Sequence, residues 1–186
     1  MAYVVAAVVV FGLIALLNLL LTFGVIRRLR EHTATLELLE SGTELEIRAK
    51  PGEPVLDFTA VATTGETVSR VDLMPDTVVA MLSATCPPCH DVADKFVPYA
   101  AQLPRERVLA VVYGTEEETA ELRARLEPVA RVVVEEQVDG AVTKAFRNKI
   151  YPSTFVVDGD RKVSASGFDV DAIRLTVPVL RLPAAV

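Results

Sequence analysis

A chain of 186 residues, 51% hydrophobic and with a net charge of −6, has the length for one membrane segment and one domain with its own core. It carries no Trp and no basic stripe with interleaved aromatics, which argues against a nucleic-acid partner. Its only two cysteines, Cys86 and Cys89, are too close together to staple distant parts of a fold, so they point to chemistry rather than to a disulfide scaffold.

Residues 2–26 form a run of 25 residues without a charge. About 20 apolar residues span a bilayer core, so the run predicts a transmembrane helix. No Lys or Arg precedes it, and it is too long for the core of a cleaved signal peptide. An uncleaved single-pass anchor over residues 1–26 in a cell membrane is the expectation. Arg27, Arg28 and Arg30 follow it, and the positive-inside rule alone would put the rest of the chain in the cytoplasm. Residues 27–50 predict a juxtamembrane helix and linker. Ile26, Leu29, Leu36 and Leu39 give a partial apolar stripe, Gly42 is a stop signal, and Lys50-Pro51-Gly52-Glu53-Pro54 ends the segment.

The domain is expected over 51–186. Phe58–Ala62 and Thr67–Ser69, joined by a Gly-containing turn, predict a hairpin. Thr77–Ser83 is a short apolar, β-branched run suited to a central strand buried on both faces. A helix is expected from the cysteine motif to about Leu103, with Val92, Phe96 and Tyr99 inward and Asp91, Asp94 and Lys95 outward. Strands follow at Val108–Tyr113 and Arg131–Glu135, separated by a helix over Glu116–Leu126 whose first turn is acidic. A short helix over Ala141–Arg147 leads to Tyr151-Pro152-Ser153-Thr154 and a strand over Phe155–Val157. Asp158-Gly159-Asp160 turns into a return strand over Lys162–Ser166, and a terminal helix is expected over Asp169–Leu180. Strands alternating with helices argue for an α/β fold, a central mixed sheet flanked by helices.

In Thr85-Cys86-Pro87-Pro88-Cys89, the first cysteine would sit at a helix N-terminus, where the macrodipole and unpaired backbone N–H groups favour a thiolate. Cys86 is then the expected nucleophile and Cys89, one turn on, the resolving thiol. A peroxidatic cysteine would want Thr three residues earlier and Pro before that; Ser83 and Val79 stand there. Zinc needs four ligands, and only His90 and the distant His32 could join the two cysteines, so no metal is expected and no cofactor. His90 is a candidate modulator of the thiolate through its charge. Pro152 precedes a strand and is a natural place for a cis peptide.

Strand–CPPC–helix, followed by Pro152-Ser-Thr-Phe-Val-Val-Asp158 and a Gly-containing hairpin, resembles the thioredoxin superfamily. Pro51-Gly-Glu-Pro-Val-Leu-Asp-Phe58, Gly65-Glu-Thr-Val68 and the extra strand and helix between the two motifs resemble its membrane-anchored TlpA/redoxin branch, and the basic-flanked anchor is most like the methylamine-utilisation protein MauD and its relatives. The resemblance implies a thioredoxin-like fold and a membrane-tethered thiol–disulfide oxidoreductase acting outside the cytoplasmic membrane on protein disulfides. It implies a substrate-binding surface of Pro87, Pro88, Tyr151 and Pro152, with Pro152 cis and the Tyr151 backbone pairing an extended client. The implied partners are protein thiols or disulfides and a redox partner. Three departures stand out: Thr85 replaces the usual Trp, Ala80 the buried acid, and Val92 a Glu of some relatives, so no obvious buried carboxylate remains for the Cys89 proton. The alternative function is a client-binding assembly factor whose cysteine pair is a redox switch.

Overall fold

The computed structural model describes residues 47–174 and Thr176, together with Tyr3 and Gly12. Apart from those two, the anchor and stalk expected up to residue 46 lie outside the described residues. Among the described residues no helix is long and apolar enough to cross a membrane. All elements described belong to the second of two compact units, Glu46–Val186.

Its described residues hold seven strands and three α-helices in the order β1 (Thr59–Val61), β2 (Thr67–Ser69), β3 (Thr77–Ser83), α1 (Pro87–Ala100), β4 (Val108–Tyr113), α2 (Glu116–Leu126), β5 (Arg131–Glu135), α3 (Ala141–Ala145), β6 (Ser153–Val157) and β7 (Val163–Gly167). β1 and β2 form a separate antiparallel hairpin. The other five make one mixed sheet in the order β5-β4-β3-β6-β7. β3, β4 and β5 run parallel, and β6 and β7 return antiparallel. This is a thioredoxin-like α/β arrangement.

β3 lies at the centre because every residue from Thr77 to Ser83 is buried. Strand side chains alternate between faces, and β3 divides its own accordingly. Val78, Ala80 and Leu82 join a core with Cys89, Phe96, Leu122 and Leu126, while Val79 and Met81 join one on the other face with Phe58, Val142, Phe146 and Phe155. Thus α1 and α2 cover one face and α3 the other. The inward residues expected of α1 are buried, and Asp91, Asp94 and Lys95 are exposed. α2 begins with a reciprocal capping box: Thr115 N–H donates to the Glu118 carboxylate at 2.9 Å, and Glu118 N–H donates back to the Thr115 hydroxyl at 3.3 Å.

One expectation needs correction. Lys50–Pro54 is woven into the domain rather than linking to it: Gly52 N–H donates to Val163 O at 2.7 Å, Val163 N–H to Glu53 O at 2.9 Å, and Pro54 bridges Lys162. Of the terminal helix expected over Asp169–Leu180, the described residues show a 3-10 turn over Val170–Ala172 capped by Asp169, whose carboxylate also accepts from Lys95 Nζ at 2.5 Å, and Leu175 and residues 177–180 lie outside the described residues. Gly167 and Ala172 approach so closely that a methyl group on Gly167 would meet the Ala172 side chain. The chain therefore turns tightly onto the sheet here.

The largest apolar ring under α1 is that of Phe96, which is fully buried. Phe96→Ala should lower unfolding free energy by about 3–5 kcal/mol in urea denaturation, through lost burial and the cavity left behind.

Candidate active site

The carboxyl ends of parallel strands are where an α/β sheet leaves a crevice for chemistry. Ser83, Tyr113 and Glu135, the last residues of β3, β4 and β5, pair in register across that edge. The chain leaves β3 through Ala84 and Thr85 and reaches Cys86, the N-cap of α1. Pro87 and Pro88 fill the first two helical positions, where a fixed φ suits the turn. Both are exposed, Cys86 is half-buried and Cys89 is fully buried.

The two thiols consequently differ. Burial, followed by the adjoining Cys86, pushes the Cys89 thiol up from 9.0 to about 12, against the opposing pull of the Ser83 N–H. That N–H lies 3.3 Å from the Cys89 sulfur. Cys86 points its Sγ toward the Tyr151 carbonyl oxygen, 3.9 Å away. The Tyr151–Pro152 peptide is cis. Tyr151 and Pro152 are both half-buried, and the Tyr151 ring stacks on Tyr113 with centroids 5.7 Å apart and planes 13° from parallel. The structure therefore gathers Cys86, Cys89, Pro87, Pro88, Tyr151 and Pro152 at one edge of the sheet.

The expected ring of backbone donors around Cys86 is thinner than a helix N-terminus usually offers. Pro87 and Pro88 have no N–H, Cys89 N–H is taken by Cys86 O at 2.9 Å, and Cys86 N–H turns back to Ser83 O at 3.3 Å. The alignment of the peptide dipoles remains. His90 turns toward the loop and α2: its Nε2–H donates to Ala84 O at 3.0 Å, and Nδ1 lies 3.8 Å from the Glu121 carboxylate.

Ala80 and Val92 are buried in the apolar core around Cys89 and offer it no proton acceptor. Asp91 is on the exposed face of α1, and Asp94 is tied there to Arg125. The one buried carboxylate among the described residues is Glu135. Its carboxylate accepts from Val142 N–H at 2.6 Å, Thr143 N–H at 3.2 Å and the Thr143 hydroxyl at 2.6 Å. Sequence reasoning passed over Glu135, Thr143 and Tyr113. The available signal was Gly140, which stands at the N-cap of α3 and has no side chain to cap it. Among the described residues no cluster of three or more potential metal ligands is present.

Residues 51–166 match the AhpC/TSA family, and the chain belongs to it. No match was found among curated proteins. Among solved structures the chain resembles the thioredoxin domain of a thiol-disulfide oxidoreductase from Bacteroides vulgatus, with TM-score 0.56 and 17% identity over 68% of this chain and 94% of that one. A thio-disulfide isomerase from Thermus thermophilus is similar with TM-score 0.53 and 24% identity, over 68% and 96% of the two chains. The C-terminal domain of a thiol-disulfide oxidoreductase from Bacteroides thetaiotaomicron, described as putative, gives TM-score 0.57 at 9% identity, over 69% and 93%. At these identities the likeness is one of fold.

Because the thiol proton of Cys89 is held more tightly in the folded protein, the stability it contributes is whole below pH 9 and is lost between pH 9 and about 12. Reduced protein should lose up to about 1.4 kcal/mol per pH unit in that range, relative to the disulfide form. Urea denaturation of both forms, and of a Cys89→Ala variant that should lack this loss, checks it. Burial, the first cause for buried Tyr99 and half-buried Tyr151, raises both in either redox form, so the comparison reports chiefly on the cysteine.

Proposed function

We propose that this member of the AhpC/TSA family is a membrane-tethered thiol–disulfide oxidoreductase that acts on protein disulfides through its CPPC motif, held by residues 2–26 with its domain outside the cytoplasmic membrane. The observation that carries the chemistry is the asymmetric pair: a half-exposed Cys86 at a helix N-cap and a fully buried Cys89 one turn behind it. In the reducing direction, the Cys86 thiolate attacks one sulfur of a client disulfide. The client S–S bond breaks, a Cys86–client disulfide forms, and the other client sulfur leaves as a thiolate that takes a proton. Cys89 then loses its proton and attacks Cys86. The second client thiol departs, and two electrons have passed from the protein dithiol to the client. An external dithiol restores Cys86 and Cys89. In the oxidising direction every step reverses.

Ser83 and Val79 stand where a peroxidatic cysteine has Thr and Pro, which favours disulfide exchange over peroxide reduction. Pro87 and Pro88 follow Cys86 and are exposed, the Tyr151 carbonyl faces its sulfur, and an extended client segment would lie along them. Thiol exchange separates this reading from the assembly-factor alternative.

Cys86→Ser should reduce client disulfide exchange to the uncatalysed background. Cys89→Ser should accumulate a Cys86–client mixed disulfide visible on non-reducing gels. Full client maturation with Cys86→Ser would sink the enzyme reading. For the outside placement, a membrane-impermeant thiol reagent should label Cys86 in intact, mildly reduced cells; labelling only after lysis would put the domain in the cytoplasm, as Arg27, Arg28 and Arg30 argue.

A further inference from the structure

Glu135 is the one buried carboxylate among the described residues, and the exchange chemistry leaves it without a task. Its three hydrogen bonds all go to the start of α3, a helix of five residues whose N-cap, Gly140, has no capping side chain. The carboxyl lies so close to that backbone that a methyl group on Gly140 would stand 2.2 Å from Glu135 Cδ.

The hydrogen bonds beyond it have a fixed direction. The Thr143 hydroxyl has one proton, and the carboxylate 2.6 Å away accepts it, since a carboxylate oxygen cannot donate. The remaining contact of that hydroxyl, 3.3 Å from Tyr151 Oη, therefore has Tyr151 as donor. The order is Tyr151 O–H to Thr143 O–H to Glu135. Thr143 holds the same loop by its backbone as well. Its carbonyl accepts Asn148 N–H at 2.9 Å, and the Asn148 amide donates to Ile150 O at 2.8 Å, which also accepts the Ser153 hydroxyl at 2.9 Å. On the other side, the Tyr151 ring is stacked on Tyr113, the lateral neighbour of Glu135 in the sheet. Tyr151 is thus gripped at its ring, its hydroxyl and its flanking backbone, and its carbonyl is the group that faces Cys86 Sγ.

We infer that Glu135 and Thr143 are positioning residues: acting through the Tyr151 hydroxyl, they hold the Tyr151 carbonyl opposite Cys86 and so set how a client strand docks beside the reacting sulfur. This rests on the exchange activity proposed above and specifies which clients depend on it. A protein disulfide reaches Cys86 on an extended segment that must pair with the Tyr151 backbone. A small disulfide with no peptide backbone needs no such pairing.

The test uses the whole 186-residue chain, with insulin as protein disulfide, hydroxyethyl disulfide as small substrate and dithiothreitol as electron source. Thr143→Val and Tyr151→Phe should each lower kcat/KM for insulin about five- to twentyfold, the scale of a lost alignment, mainly through KM. In Thr143→Val, exchange with hydroxyethyl disulfide should stay within about twofold, below the scale of that lost alignment, and the reduction potential should not move. Thr143→Ser keeps the hydroxyl and should restore insulin turnover. The double variant should be no worse than either single one, because both break the same relay. Glu135→Gln, which replaces one of the two accepting oxygens with an amide NH2, should act in the same direction. Amide resonances of Cys86 and Ser153 should shift in Thr143→Val and Tyr151→Phe but not in Thr143→Ser, and this readout needs no turnover. Equal losses on both substrates, or unmoved Cys86 and Ser153 resonances, would overturn the inference. Wild-type protein that exchanges neither substrate would overturn the proposed function instead, and the resonances would still decide the relay.

Discussion

Burial of β3 on both faces is the constraint on which the rest depends. A strand with seven consecutive buried residues has no solvent side, so helices must cover the sheet above and below it. α1 and α2 do so on one face and α3 on the other. The end of such a strand is also the first place where the chain can emerge. Cys86 is half-exposed because it comes just after that exit. Cys89 is sealed because one helical turn carries it back over the strand into the core. The difference between two chemically identical thiols therefore originates in packing. Sheet pairing then brings Tyr113 and Glu135 beside Ser83, and the return through β6 delivers Tyr151 to the same edge.

The electrostatics of the edge are divided in the same way. Two prolines at the start of α1 fix its first turn and remove two of the N–H groups that could have faced a thiolate. The carboxylate retained at the edge, Glu135, is spent on the start of α3 and on the loop carrying Tyr151. Polar machinery has been placed on the wall of the site rather than under its buried sulfur. That arrangement leaves the environment of Cys89 apolar, which is the main cause of its high titration point.

What could be read from the sequence follows the range of each signal. β3, β4, α2 and β5 were legible to the residue because their apolar runs are bounded by turns and, for α2, by an acidic first turn. The motif Cys86-Pro87-Pro88-Cys89 is local, and the strand before it and the helix after it made its placement readable. At the start of the terminal segment Asp169 caps as expected, and Gly167 approaches Ala172 closely where the described residues form a 3-10 turn. Pro51 and Gly52 look like a linker because a turn signal carries no information about which edge the turn lies against, here β7. Glu135 was hidden for a stronger reason. A charged residue at a strand end is ordinarily solvated, and its burial is created by Gly140, Val142 and Thr143, five to eight positions further on.

The apolar setting of Cys89 bears on how the proposed exchange completes itself. In the mixed disulfide Cys86 no longer holds a thiol, so its contribution to the raised Cys89 titration point disappears and burial remains as the cause. Ala80 and Val92 offer no base, and Asp91 and Asp94 face outward. The group that arrives at the right moment is the client thiolate released in the first step. A free thiol titrates near about 8.5, well below a buried one, so proton transfer from Cys89 to that thiolate runs uphill. In the proposed exchange, resolution then waits on ionisation of Cys89 while the client is still held. The client must stay in place through that wait. A surface that grips it by backbone pairing at Tyr151 serves this need better than one relying on the sulfur–sulfur bond alone. In the proposed exchange, the hydrogen bonds from Tyr151 through Thr143 to Glu135 and the missing base at Cys89 would serve one end: an edge that keeps a client aligned until the buried thiol resolves the mixed disulfide.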